Sequence, residues 1–104
     1  MKYGLNEDTI KTINRVFENN SVVDKVVLYG SRAKGNYKNG SDVDLTLFGN
    51  MLDFNTLLKI SSEIDDLPLP YKFDISIFNS ITNKDLIEHI ARVGKVFYSK
   101  RKSC

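Results

Sequence analysis

KVVLYGSRAKGNYKNGSDVDLTLF, residues 25 to 48, decides how the rest of this chain reads. It opens on a β-branched and aromatic run that Gly30 stops, the pattern of a buried strand. It closes on DVDLTLF, residues 42 to 48, which alternates strictly. On a strand that pattern puts Asp42, Asp44 and Thr46 on one side and Val43, Leu45 and Leu47 on the other. The polar link over residues 31 to 41, with Gly35 and the turn pair Asn39-Gly40, is too short for a crossover helix plus its turns. The two strands are therefore expected to be antiparallel neighbours. Two aspartates at the mouth of an apolar strand need a reason, because an unpaired charge is costly to bury.

Outward from this stretch the periodicity changes. Residues 6 to 18 read as a helix with Asn6 as N-cap, Glu7 and Asp8 at its positive end, and Ile10, Ile13, Val16 and Phe17 on one face. Leu5 is placed to staple onto Ile10. Asp53 can cap a second helix carrying Phe54, Leu57, Leu58, Ile60 and Ile64, which Pro68 and Pro70 cannot continue. YKFDISIF, residues 71 to 78, is a third strand with Phe73, Ile75 and Ile77 on one face and Asp74 and Ser76 on the other. Thr82 with Asp85 resembles a capping box opening a last helix, and Gly94 is its expected C′ stop. Residues 96 to 98 suggest a short edge strand. The fold class is α+β, a small sheet covered by helices.

At 104 residues, one domain spanning 1–104 is expected. Apolar and charged fractions of 41% and 27% are those of an ordinary globule. A net charge of +2 is too balanced to argue for direct nucleic-acid binding, and the basic Lys100, Arg101 and Lys102 read as a solvated terminus. The single cysteine, Cys104, offers neither an internal disulfide nor a metal site. No run approaches a membrane span and no signal-peptide core is visible, so a cytoplasmic location is expected.

Same-face positions on a strand lie about 6.6 Å apart, so Asp42 and Asp44 can lean onto hard cations lying between them. Magnesium suits such a place, since it takes a few carboxylate oxygens and completes its shell with water and substrate phosphate. If the third strand lies beside the second, Asp74 joins the same face, giving a ligand set for two-metal phosphoryl or nucleotidyl transfer. The rival for Asp74 is an ion pair with Lys72, and for Asp42 a turn or cap role. At the end of the first strand, Gly30 allows close approach of backbone to a ligand. Ser31 and the following RAKG can form a short helical turn facing an anion, with Arg32, Lys34 and Lys38 adding cations. Alone, that Gly-Ser pair would be an ordinary turn. It is not a P-loop, because Asn36-Tyr37 stand where Lys and Ser or Thr are required.

Gly30-Ser31, ten residues, then Asp42-Val43-Asp44, with a third aspartate on a later strand, resembles the signature of the DNA polymerase β nucleotidyltransferase superfamily. The fuller match GSRAKG…SDVDL in a chain of this size is similar to the minimal nucleotidyltransferase (MNT) group. The resemblance implies a small mixed sheet flanked by helices, with ATP as substrate and Mg2+, two ions expected, as cofactor. It implies transfer of a nucleoside monophosphate to a hydroxyl. Carried over by position, Asp42, Asp44 and Asp74 bind metal and catalyse, while Gly30 and Ser31, with Arg32 and Lys34 beside them, bind the triphosphate. MNT proteins commonly pair with a helical HEPN-domain toxin, which suggests adenylylation of a tyrosine on that partner. Larger relatives carry a further domain for a small-molecule acceptor. This chain appears without one, so a partner or a second subunit is expected to present the acceptor. Two rivals stand beside this reading: a catalytically weak antitoxin acting by contact alone, and a transferase acting on RNA or a small molecule. The lone histidine, His89, reads as a surface or packing residue of the last helix, Tyr37 as a loop aromatic, and Glu63, Asp65 and Asp66 as a solvated cluster.

Overall fold

Helix α1 (Glu7–Glu18) begins where the extended Asn6 turns its side-chain oxygen onto the Thr9 N–H at 2.7 Å. Acids in its first turn and Arg15 in its last complement the helix dipole. Strand β1 (Lys25–Tyr29) follows, then the single-turn helix α2 (Ser31–Lys34) and strand β2 (Val43–Phe48). Helix α3 (Phe54–Asp65) is capped as expected, with Asp53 accepting from the Thr56 N–H at 2.8 Å. Strand β3 (Phe73–Ile77) runs through a 3-10 turn into α4 (Lys84–Val93) and the edge strand β4 (Lys95–Ser99). This computed structural model describes residues 2–38 and 40–100. Asn39 of the expected turn pair, Arg101, Lys102 and Cys104 lie outside them.

Two local expectations change. The cap of α4 is Asn83 and not Thr82: its Oδ1 accepts from the N–H groups of both Asp85 (2.9 Å) and Leu86 (3.1 Å), donors that Thr82, one residue further out, does not serve. Gly94 does not end α4 in the left-handed region. It lies at φ −60°, ψ 144° and leads straight into β4. Glycine is needed there for space, since a Cβ would come within 2.6 Å of Val27 Cγ1 and would also strike the Ile90 carbonyl.

The sheet order is β3-β2-β1-β4. The antiparallel β1–β2 pairing expected from the short link holds, with Tyr29 opposite Asp44. Strands β2 and β3 are parallel, joined across α3, and their register sets Asp44 against Asp74 and Thr46 against Ser76. The sheet is thus mixed. On one face, α1 and α3 close over Val26, Leu28, Val43, Leu45 and Leu47, and Ile13, Phe17, Ile60 and Ile64 complete the main core. Each large aliphatic side chain buried there contributes about 1.5–3 kcal/mol. On the other face, α4 lays Ile90 onto Val27 and Tyr29, with Phe48, Phe78, Leu86 and Val93 around them. No helix among the described residues is long and apolar enough to cross a membrane.

Candidate active site

The second face is left open at one end, where the C-terminus of β1 meets the N-termini of β2 and β3. Period-two geometry aims Asp42, Asp44 and Asp74 out of this face, on the side away from the main core. Asp42 and Asp74 are exposed and Asp44 is half-buried. Burial, then the neighbouring charge of Asp74, then that of Asp42, push the Asp44 carboxyl up to about 6. The three acids therefore share one field. Tyr29, opposite Asp44 on β1, lies in the same field. Burial is the main cause holding its phenol above the ordinary value, a hydrogen bond with Ser76 opposes this, and the charges of Asp74 and Asp44 add to it.

Among the described residues, no lysine or arginine forms an ion pair with these acids. The one ion pair recorded among the described residues joins Arg92 to Glu88 on exposed α4, so the ion pair between Asp74 and Lys72 does not form. Carboxylates aligned on neighbouring strands, one of them half-buried beside like charges, are a donor set that fits a hard divalent ion. They form an open row and not a closed cage: no group of three acidic, histidine or cysteine side chains among the described residues is drawn tightly enough to enclose a metal by itself. Magnesium tolerates such openness because water and substrate phosphate complete its shell.

Gly30 sits directly on this row. At φ 78° and ψ −157° its backbone occupies a region open essentially to glycine alone, and a Cβ there would run into the Asp44 carboxylate. The chain then turns into α2, with Gly30 as N-cap and Ser31, half-buried, as first helical residue. Lys34 is exposed on the same turn.

Arg32 is placed differently from the expectation that it faces a triphosphate. It is only 3% exposed. Its Nη1 donates to the Tyr3 carbonyl at 2.8 Å, while Nε and Nη2 donate to the Ser41 carbonyl at 3.2 and 2.9 Å. The rings of Tyr37 and Tyr71 each lie 5.2 Å from the guanidinium. A buried cation whose three nitrogens each donate to a carbonyl and whose faces lie near aromatic rings is a clamp, tying the Tyr3 and Ser41 backbone to α2.

Sequence reasoning missed four participants. Ser76 donates to Thr46 Oγ1 at 3.1 Å, forming a hydroxyl rung one step along from the Asp44–Asp74 rung. Both residues were legible as same-face neighbours of the aspartates. Tyr29, opposite Asp44 on β1, lies in the field of the acids. His89 reaches from α4 to accept the Gly30 N–H through Nε2 at 3.2 Å, with its ring edge-on to Tyr29 at 6.2 Å.

A profile described as Polymerase beta, Nucleotidyltransferase matches residues 11–103. The chain belongs to the polymerase beta nucleotidyltransferase family. The match runs from within α1 through β4 and so takes in every acid of the open row. A comparison with curated proteins finds no match. Among solved structures, this polymerase beta nucleotidyltransferase is similar to a toxin-antitoxin solved with AMP-PNP, at 21% identity and TM-score 0.69, over 93% of this chain and 76% of that one. It is also similar to a chain of the complex of the tri-AMPylated Shewanella oneidensis HEPN toxin with MNT antitoxin. The figures there are 16% identity and TM-score 0.67, over 90% of this chain and 72% of that one. The MntA-HepT toxin-antitoxin gives 15% identity and TM-score 0.67, over 91% and 74%. At these identities it is the fold that is shared.

Proposed function

We propose that this chain is a magnesium-dependent adenylyltransferase that moves AMP from ATP to a tyrosine hydroxyl of a HEPN-type partner and thereby acts as its antitoxin. The observation that carries the proposal is the Asp44–Asp74 rung packed against the Gly30 turn, with the Asp44 carboxyl lifted to about 6 by burial and, after it, by the charges of Asp74 and Asp42. In this reading Asp42, Asp44 and Asp74 hold the divalent ions, and Gly30 and Ser31, with Lys34 nearby, receive the triphosphate. Bound magnesium supplies charge neutralisation at the phosphates and a lowered pKa for the attacking hydroxyl. Asp74, the exposed acid on the edge strand, stands where an acceptor can approach, and it takes the proton as the tyrosine oxygen forms its bond to the α-phosphorus. The bond from that phosphorus to the bridging oxygen breaks, and pyrophosphate departs. Arg32 has no part in this, because it is buried and each of its three nitrogens already donates to a backbone carbonyl. The choice of acceptor is supported by the similar folds solved as toxin-antitoxin complexes, one with AMP-PNP and one with a tri-AMPylated HEPN toxin. Such a pair would meet in the cytoplasm.

The test offers α-labelled ATP and Mg2+ with a HEPN protein and, separately, with RNA. Label is expected on a tyrosine of the protein, and Asp42→Asn with Asp44→Asn should lower transfer at least about a hundredfold, since even residues that merely orient metal ligands cost about 10–100-fold. Undiminished transfer by that double variant would end the metal reading. Label on RNA would redirect the acceptor, and neutralisation of the toxin without label would make this an antitoxin by contact.

A further inference from the structure

Gly30 is the most constrained residue of the site. Its dihedral angles belong to glycine only, and it is wedged against the Asp44 carboxylate. Glycine is free to take many other conformations, so holding it in this one falls to the contacts around it. Three contacts hold it here. Gly30 O accepts from the Lys34 N–H at 3.1 Å, closing the α2 turn. Asp44 blocks the side where a Cβ would stand. The third comes from α4: the Gly30 N–H donates to His89 Nε2 at 3.2 Å.

Helix α4 is itself fixed. Ile90, beside His89 in the chain, is buried on Val27 and Tyr29, and one turn on Gly94 allows the backbone to touch Val27. The His89 ring stands edge-on to Tyr29, the residue before Gly30. An accepting Nε2 requires the neutral ring with its proton on Nδ1. We infer that His89 is a positioning residue for nucleotide binding: its imidazole holds the Gly30 amide and so sets the direction in which the Gly30–Ser31 turn leaves β1 beside the carboxylate row. It acts through Gly30 and touches no substrate. This rests on the proposed function for what the turn binds, but the contact itself does not.

The experiment compares wild type with His89→Ala and His89→Gln, because the Gln side-chain oxygen can stand close to where Nε2 stood. Amide hydrogen exchange at Gly30 and the Kd of a non-hydrolysable ATP analogue with Mg2+ are measured, and thermal melts monitor the fold. His89→Ala should speed Gly30 exchange and raise Kd about threefold to tenfold, the worth of one hydrogen bond. His89→Gln should restore most of both. Unchanged Gly30 exchange and Kd in His89→Ala would overturn the inference, as would equal losses in both variants, which would mark a packing role. If His89→Ala does not fold, His89→Leu against His89→Gln makes the same comparison. A wild type that binds no nucleotide refutes the proposed function instead, while Gly30 exchange still reads the His89 contact.

Discussion

Strand β2 carries opposite chemistries on its two sides. Val43, Leu45 and Leu47 are fully buried beneath α1 and α3. One step away along the same backbone, Asp42 and Asp44 face a surface that α4 covers only in part. The first side gains free energy from every residue it hides. The second side loses some, because it half-buries Asp44 beside like charges, with no ion pair to them among the described residues. The stable side supports the strained one: a sheet held this firmly on one face keeps carboxylates aligned on the other that would, on a looser scaffold, move apart.

The largest effect should come from weakening the supporting side. Leu45→Ala removes a fully buried side chain from the centre of the core. It should cost about 2–5 kcal/mol, a large share of the stability of a domain this size. Urea unfolding measures this. A loss under about 1 kcal/mol would mean that the core does not bear on β2 as described.

Next comes the seam between the sides. Gly30→Ala places a Cβ against the Asp44 carboxylate and forces a non-glycine residue into a glycine-only conformation. The backbone strain alone should cost about 1–3 kcal/mol. The variant separates two contributions, since adding Asp44→Asn relieves the charge but neither the crowding nor the dihedral strain. The cost of Gly30→Ala, by thermal melting, is expected to be as large in the Asp44→Asn background as in wild type. Full recovery would show that Gly30 was sensing only the carboxylate charge.

The contrast also explains what the sequence could and could not tell. The apolar side was legible because burial writes itself into periodicity: α1, α3 and every strand followed from spacing, and the caps Asn6 and Asp53 from side-chain chemistry. The aspartate row was legible for the same reason, as an alternation of period two. Contacts that join distant segments were not. His89 meets Gly30 across 59 positions, and Arg32 meets the Tyr3 carbonyl across 29. Neither leaves a local pattern. Arg32 in particular sat in a basic loop where a cation suggests a phosphate, and only the fold shows its donors turned inward to carbonyls. Gly94 was legible as a stop but not as a close contact, which depends on where α4 docks.

The smallest effect, and the most specific to the charged side, is a pH dependence. The Asp44 carboxyl stands at about 6 in the folded protein against an ordinary value of 3.8. Over that interval the native state binds the proton more tightly than the unfolded chain does, so stability should fall as pH rises from about 4 to about 6. Below the interval both states are protonated and the difference vanishes; above it both are ionised and the full penalty stays. Other groups titrate in the same range, so the informative quantity is a difference. Unfolding midpoints of wild type and Asp44→Asn, without added metal, should diverge as pH rises from 4 to 7, with the variant the more stable at pH 7. Parallel curves would mean that Asp44 carries no excess charge burden. Magnesium sharpens the measurement, because an ion on the row favours ionised Asp44 and should shrink the divergence at neutral pH. A divergence that ignores magnesium would place the ion elsewhere.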